Sequence, residues 1–178
     1  MHRLFVGIRP PGPVRDALSD IMDGLDGARW QDDDQLHLTL RFIGEVDRRQ
    51  AEEIAGRLGR LAWHGFPVHI AGVGIFERRG RPHTLFAAVA RDEALIHLQR
   101  KIERACQQAG LPPETRRYHP HVTLARMNRS AGPVGAFLGA QAGFALPPFA
   151  CDAFHLYESR LNPVGSQYEL AATFPAAP

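Results

Sequence analysis

One eight-residue segment of the sequence alternates between apolar and polar side chains from Leu36 to Phe42: Leu36-His37-Leu38-Thr39-Leu40-Arg41-Phe42-Ile43. Successive side chains of an extended strand point to opposite faces, so the alternation predicts a half-buried strand over Leu36–Ile43. His37 and Thr39 share one face of this strand. A strand packed on a hydrophobic core is rigid, so both side chains are held in fixed positions. The apolar members pack on a core behind that face: Leu36, Leu38, Leu40 and Phe42.

A second copy of the pattern lies in the other half of the chain, as His121-Val122-Thr123-Leu124 in a predicted strand over His119–Ala125. Each copy stands between two segments with helical spacing of apolar residues. We predict these helices over Pro11–Gly27 and from Asp47 to about Trp63, then from Asp92 to about Ala109 and around Val134–Gln141. The order indicates an internal duplication, in which two similar halves each contribute one histidine to a shared cleft.

The remaining apolar runs are short and are typical of strands. The expected strands are Leu4–Ile8, Phe66–Phe76, His83–Ala90, Ala150–Arg160 and Gln167–Phe174, with the second and third joined as a hairpin through Glu77–Pro82. Strands and helices mixed in this order predict an α+β fold, and 178 residues suit one domain with two lobes, residues 1–178.

Composition narrows the class of protein without naming a partner. A formal net charge of +2 is too small for wrapping duplex DNA, although a local basic cleft can hold a few phosphates. Cys106 and Cys151 are too few for a disulfide framework, which indicates a reducing compartment and the cytoplasm as the expected location. We find neither a signal segment nor an apolar run of membrane-spanning length, and no sustained apolar surface pattern, so we expect a monomer.

Two histidines and two hydroxyl groups suit the attack of water on phosphorus with in-line departure of an alkoxide. Imidazole can remove the proton from water and can also deliver a proton to the leaving oxygen near neutral pH. Threonine hydroxyls can donate to the non-bridging oxygens, where negative charge gathers in the transition state. This chemistry needs no metal and no other cofactor.

The sequence resembles the RNA 2',3'-cyclic phosphodiesterases, also called 2'-5' RNA ligases, of the two-histidine (2H) phosphoesterase superfamily. Two His-x-Thr-x motifs define that superfamily, and the similarity extends over nearly the whole chain. The matching segments are Arg3-Leu4-Phe5-Val6-Gly7-Ile8, Leu36-His37-Leu38-Thr39-Leu40-Arg41-Phe42-Ile43-Gly44-Glu45-Val46, His119-Pro120-His121-Val122-Thr123-Leu124-Ala125-Arg126 and Leu156-Tyr157-Glu158-Ser159-Arg160-Leu161.

The resemblance implies a bilobal, pseudo-symmetric fold, with antiparallel sheets lining a central cleft and helices outside. It implies hydrolysis of 2',3'-cyclic phosphate RNA ends to 2'-phosphates, with reversible, ATP-independent 2'-5' joining, on RNA ends or cyclic nucleotides as substrates. His37 would be the proton donor to the departing 3' oxygen and His121 the proton acceptor from water. Thr39, Thr123 and Arg126 would bind the phosphate. By simple alternation Arg126 falls with Val122 and Leu124, away from His121, unless a bulge or the strand end redirects it.

Two rival interpretations remain open. His119 and His121 share a strand face at a spacing common among metal ligands, with Asp32, Asp33 and Asp34 as possible oxygen ligands, which would give a metal-dependent phosphoesterase. The aspartates equally suit a solvated turn. The other rival is a non-catalytic RNA-binding module, against which both complete motifs argue.

Several other residues carry both a structural and a functional interpretation. Arg78, Arg79 and Arg81 in the hairpin turn, with Arg116 and Arg117 before the second motif, form either an RNA-guiding rim or ordinary charged loops. Trp30, Phe42 and Tyr157 are core candidates, although an aromatic near the cleft can stack on a base. The remaining histidines considered are interpreted as structural or exposed: His64, His69, His83, His97 and His155.

Overall fold

A computed structural model describes residues 1–163 and 165–178 of the chain. Within these residues there are ten strands and four α-helices. The strands are β1 His2–Ile8, β2 Ala28–Trp30, β3 Leu38–Val46, β4 Phe66–Val68, β5 Ile70–Arg78, β6 Arg81–Val89, β7 His121–Met127, β8 Phe149–Cys151, β9 Ala153–Asn162 and β10 Gly165–Pro175. The helices are α1 Gly12–Asp20, α2 Arg48–Leu58, α3 Glu93–Gln108 and α4 Gly135–Ala140, and a 3-10 turn covers Asp33–Gln35.

An eight-stranded antiparallel sheet carries the two predicted motif strands at its centre. Its order is β10-β9-β1-β3-β7-β6-β5, and β2 pairs with β7 beside this path. β3 and β7 meet through a single residue pair, Leu38 with Val122, whereas the pairings on either side are long. The sheet therefore divides at this junction into a β10-β9-β1-β3 part and a β7-β6-β5 part, and each part carries one motif.

The core lies between this sheet and the helices packed against it. α3 contacts β3, and α2 contacts both α3 and β1. Five residues of α3 are buried in the core: Leu95, Leu98, Ile102, Ala105 and Cys106. Two aspartates cap these helices as their sequences suggest, because Asp47 accepts from the Gln50 amide at 2.7 Å and Asp92 from the Ala94 amide at 2.8 Å.

The α+β class and the antiparallel sheet are confirmed, while several boundaries differ from the prediction. α1 ends at Asp20, and the predicted extension to Gly27 does not form, since Gly24 and Gly27 adopt positive φ angles of 75° and 73° that are incompatible with a helix. The strand expected over Phe66–Phe76 is interrupted after Val68, and its first part pairs with β8 in a separate two-stranded sheet. The short β2 is absent from the sequence prediction.

We find no helix in residues 1–163 or 165–178 with the length and apolarity needed to cross a bilayer.

Candidate active site

Four motif side chains meet at the β3–β7 junction. The pairing of Leu38 with Val122 in antiparallel register sets His37 opposite Thr123, and Thr39 opposite His121. The two histidines are then diagonal neighbours on one sheet face, a geometry in which backbone positions lie about 7–8 Å apart. The charge of His121 is close enough to lower the pKa of His37.

Both imidazole rings are anchored in the same way. His37 Nδ1 lies 2.6 Å from the Gln35 carbonyl oxygen, and His121 Nδ1 lies 2.7 Å from the His119 carbonyl oxygen. A carbonyl oxygen can only accept, so Nδ1 carries the hydrogen in each ring. Nε2 is consequently the free nitrogen of the neutral ring and is available for proton transfer in both halves.

Aromatic side chains from distant strands enclose the His37 ring. Phe5 of β1 stacks on it with centroids 4.6 Å apart, and Tyr168 of β10 meets it edge-on at 5.1 Å. Gly7 allows this approach, because a Cβ at that position would lie 3.0 Å from the Leu38 carbonyl oxygen and 3.4 Å from His37 Cδ2. The ring is therefore held on one side by β1 and on another by β10.

The His121 ring has a comparable setting built from the other part of the sheet. Phe76 of β5 and Phe86 of β6 meet the ring edge-on at 4.8 Å and 5.4 Å, and these two phenylalanines stack on each other at 4.3 Å. Gly74 leaves the space that Phe86 occupies, since a Cβ there would approach the ring to 2.7 Å. Each histidine is thus fixed by aromatic packing from neighbouring strands.

Burial makes both histidines weaker bases than a histidine in water. It lowers the pKa of His37 from 6.5 to about 4, and the hydrogen bond to the Gln35 carbonyl only partly opposes this shift. Burial also lowers the pKa of His121, again against its carbonyl bond to His119. Nearby Arg126 lowers the pKa of both rings. A site without an anion therefore holds two mainly neutral imidazoles at pH 7.

A β-bulge follows each motif and resolves the placement of Arg126. The register between β6 and β7 moves from Phe86–Thr123 to Leu85–Ala125, so β7 has one extra residue, Leu124. Leu124 and Ala125 are both buried, and Arg126 is exposed. The bulge thus reverses the alternation and returns Arg126 to the face of the histidines.

β3 has the equivalent bulge, and it corrects the prediction made for Phe42. The register with β1 moves from Gly7–Thr39 to Val6–Arg41, so Leu40 is the extra residue. Arg41 is buried instead of exposed, and Phe42 is 42% exposed instead of packing in the core. Phe42 and Arg126 each follow their histidine by five positions, and both reach the motif face through the same irregularity.

Two hollows flank the motif residues. A pocket of about 420 Å³ is lined by Thr39 and His121 together with the aromatic side chains of Phe42, Phe76 and Tyr118. On the other side a hollow of about 130 Å³ is lined by polar groups that include Gln35, Arg126 and Tyr168. Gln35 and Tyr168 also contact His37, so the smaller hollow lies beside His37, whereas His121 itself lines the larger pocket.

The aspartates proposed as metal ligands have other partners. Arg9 lies 3.2 Å from Asp33 and 3.0 Å from Asp34, and Arg15 lies 2.9 Å from Asp33. Asp32 forms a capping box with Gln35 at the 3-10 turn. In the part of the chain that the structure describes, no three His, Cys, Asp or Glu side chains are grouped as metal ligands. The structure brings the two motifs together, but it does not bring the aspartates to His119 and His121 as a ligand set.

The other candidate residues noted in the sequence have different surroundings. His64, His69 and His97 are exposed, Tyr157 is buried against Phe5, and Trp30 packs on Phe137. His83 lines the pocket that contains His121 and bonds through Nδ1 to the Thr84 hydroxyl. Sequence reasoning missed Phe76 and Phe86 beside His121, and it missed three further residues that complete the site. These are Phe5, Tyr168 and Thr84, the last of which accepts a hydrogen bond from Arg126 Nη1 at 2.9 Å.

Known proteins are similar to this chain in sequence and in fold. The sequence matches the 2'-5' RNA ligase superfamily over residues 4–163. A protein of Aeropyrum pernix named RNA 2',3'-cyclic phosphodiesterase is 38% identical over 97 residues, which span 54% of this chain and 55% of that protein. A Thermotoga maritima protein of the same name is 29% identical over 177 residues, covering 94% of this chain and 92% of the relative.

The fold comparison agrees with the sequence comparison. A crystal structure of a Thermus thermophilus protein superposes with a TM-score of 0.82 at 26% identity and covers 97% of both chains. The family match extends over most of the chain and includes both motif strands. The chain therefore belongs to the 2'-5' RNA ligase superfamily.

Proposed function

We propose that this protein is an RNA 2',3'-cyclic phosphodiesterase that opens the cyclic phosphate to a 2'-phosphate by metal-independent acid–base catalysis. One observation carries the proposal. His37 and His121 lie diagonally across one sheet face, each with Nδ1 bonded to a carbonyl and Nε2 free. The names of the Aeropyrum pernix and Thermotoga maritima relatives support the same activity.

The proposed step moves one proton at each end of the phosphate. Water attacks phosphorus while His121 Nε2 removes its proton, and the bond from phosphorus to O3' breaks on the opposite side. His37, protonated on both ring nitrogens, delivers its Nε2 proton to the departing O3'. The product carries a 2'-phosphate and a 3'-hydroxyl, and the proton gained by His121 must return through solvent to His37 before the next cycle.

The charge of the substrate supplies the protonation state that this step needs. Because burial lowers the pKa of His37 to about 4, this ring is mainly neutral without a ligand. A cyclic phosphate brings one negative charge between the two rings, and an adjacent anion favours the protonated form of histidine. His37 therefore takes up a proton when the substrate binds. Arg126, which the bulge places on the same face, offsets part of the negative charge of the phosphate.

The remaining contacts can be assigned from the two hollows. Thr39 and Thr123 alternate with the histidines and donate their hydroxyl hydrogens to the non-bridging oxygens. The aromatic walls of the pocket beside His121, Phe42 and Tyr118 among them, suit the nucleoside that carries the cyclic phosphate. A 5'-hydroxyl of a second RNA end can replace water as the nucleophile, and the same two proton transfers then form a 2'-5' bond without ATP.

The test is an assay on an RNA oligonucleotide with a 2',3'-cyclic phosphate end in the presence of EDTA. We expect turnover to persist and the product to be a 2'-phosphate, identified by its resistance to enzymes that need a free 2'-hydroxyl. Loss of activity in EDTA with recovery on Zn²⁺ or Mn²⁺ would establish the metal-dependent rival. RNA binding without turnover would establish the non-catalytic rival.

The location and the oligomeric state are also proposals. Cys106 and Cys151 are both buried as free thiols, which suits a reducing compartment such as the cytoplasm. We expect a monomer, to be checked by light scattering of the eluting protein at assay concentrations.

A further inference from the structure

A broad groove lined by arginines opens at one end of the β5–β6 hairpin. Its volume is about 800 Å³, and its lining combines the hairpin tip with the segment after β7. Arg78, Arg79 and Arg81 come from the hairpin, and Arg129 comes from the segment after β7. Acidic side chains are absent from the described lining, which makes this the natural place for an anionic ligand.

The charges of these arginines are not neutralised by the protein. In the described part of the chain, none of the four lies within ion-pair distance of a carboxylate. Arg116, from the other arginine pair noted in the sequence, instead bonds to both oxygens of Glu114 at 3.2 Å and 3.0 Å. Among the described residues, the four groove arginines therefore have no ion-pair partner, whereas Arg116 before the second motif has one.

The backbone of the hairpin presents its arginines in a fixed arrangement. Arg79 and Gly80 have φ angles of 54° and 73°, the conformation of a tight two-residue hairpin turn, and Arg78 pairs with Arg81 across it. Their side chains therefore start from a short, ordered turn, so little backbone entropy is lost when they bind a chain of phosphates.

The groove is continuous with the histidine pair. His83 lines both the groove and the pocket that contains His121. The Thr84 hydroxyl bonds to His83 Nδ1 at 2.6 Å and accepts from Arg126 at 2.9 Å, so one side chain joins a groove residue to the proposed phosphate site. β7 begins at His121 and ends at Met127, which itself lines the groove.

We propose that this groove binds the phosphodiester backbone of the RNA strand whose cyclic end lies between His37 and His121. The inference rests on the function proposed above and specifies its substrate as an oligonucleotide instead of a mononucleotide. β7 spans about 20 Å from His121 to the groove, which is about the length of six stacked nucleotides in one strand. Guanidinium groups suit such a ligand because their planar donors match phosphate oxygens.

The first experiment is a length series of RNAs with 2',3'-cyclic ends, from the mononucleotide to strands of about twelve nucleotides. We expect kcat/KM to rise once the strand is about six nucleotides long and reaches the groove, and to level off when the groove is filled. The same kcat/KM for the mononucleotide and for all longer strands would overturn the proposal.

The second experiment compares two variants with equal loss of charge. R79Q/R81Q/R129Q removes three groove arginines, whereas R48Q/R49Q/R57Q removes three from the outer helix α2, where Arg48 and Arg57 pair with Glu52 and Glu53. The groove variant should lose about tenfold or more in kcat/KM on a long strand at low salt, and its salt slope should fall by about two. Its activity on the cyclic mononucleotide should match that of the unmodified protein, and the helix variant should match it on both substrates.

The outcomes separate this inference from the proposed function. Equal losses in the groove and helix variants, or an equal loss on mononucleotide and long strand, would overturn the groove. If the unmodified protein opens no cyclic phosphate, the proposed function fails, and fluorescence anisotropy with a phosphate-ended, labelled RNA then tests the groove alone. In that measurement only the groove variant should bind more weakly, and unchanged binding would overturn the inference.

Discussion

At the scale of single residues, the two histidines share one anchoring bond but are assigned opposite tasks. Both present Nε2 because Nδ1 donates to the carbonyl two positions earlier. The roles of donor for His37 and acceptor for His121 can be separated through the leaving group. The nitrophenolate group of a nitrophenyl phosphodiester leaves without needing a proton. H37A should therefore lose far less activity on this substrate than on a cyclic phosphate, whereas H121A should lose about the same activity on both. The opposite pattern in steady-state rates would exchange the two roles.

The lowered pKa values of these residues predict the pH dependence of the reaction. The kcat/KM profile reports groups of the free enzyme, and its proton donor loses its proton as the pH rises through its pKa. Because burial lowers the pKa of both histidines below 6.5, we expect a bell whose maximum lies on the acid side of 6.5. The kcat profile should be centred at higher pH, because bound phosphate raises these pKa values. A kcat/KM maximum above about pH 7 would contradict this.

At the scale of elements, the bulges after the motifs decide which side chains reach the site. Strict alternation from Leu36 puts His37 and Thr39 on one face of the strand, but it predicts that Phe42 is buried. In the second motif strand the same rule predicts that Arg126 points away from the histidine face. Directly after the motif each strand has an extra residue, Leu40 or Leu124, and the pattern reverses there. Nothing in an apolar–polar pattern marks a bulge, because its position depends on the neighbouring strand. The sequence therefore predicts the four motif residues and leaves the fifth unresolved.

Gly7 of β1 offers a test of how closely the strands must pack around His37. In G7A the new methyl group would meet the Leu38 carbonyl and the His37 ring, so the ring should shift. We expect kcat to fall by about tenfold to a hundredfold, as small misplacements of reacting groups do. G143A is the matched control, because a Cβ at Gly143 meets no atom within 4 Å. Full activity in G7A would show that His37 tolerates displacement.

Arg41 of β3 offers a test of how the motif strand is fixed to α3. Its Nε lies 2.6 Å from Glu103 Oε2 as an ion pair without good hydrogen-bond alignment, and Nη2 donates to the Pro112 carbonyl at 2.7 Å. R41M leaves the half-buried Glu103 carboxylate without its cation, although Oε1 still accepts from Gln107 and from the Glu114 backbone, so the free energy of unfolding should fall by about 3 kcal/mol. R41M/E103Q should recover part of that loss in urea unfolding. No recovery would show that the ion pair is not the cause.

At the scale of the whole molecule, the site is assembled from parts that no local pattern connects. His37 contacts Phe5 from the first strand and Tyr168 from the last, whereas His121 contacts Phe76 and Phe86 of a hairpin between them. The repeated motifs predict that two histidines meet, but these aromatic partners depend on the strand order and become visible only in the folded sheet. The same holds for the arginine groove.

The repetition of helix, motif strand and helix is matched by repeated detail in the structure. Both motifs have the carbonyl anchor, the bulge and the exposed residue five positions after the histidine. We propose that the two parts of the sheet arose by duplication and form one domain across the Leu38–Val122 junction. A single chemical step that requires both parts follows from that arrangement.

The most direct measurement of this joint action is the rate of H37A/H121A beside both single variants on a cyclic-phosphate RNA. Each single change should lower turnover by about a hundredfold to ten-thousandfold. When two groups act in the same step, the losses of transition-state stabilisation on removing each of them are far from additive. The double variant should therefore be about as slow as the slower single variant. RNA binding should persist in all three. If the two losses multiply, or if either single variant keeps full turnover, the two histidines do not act together on one phosphorus atom.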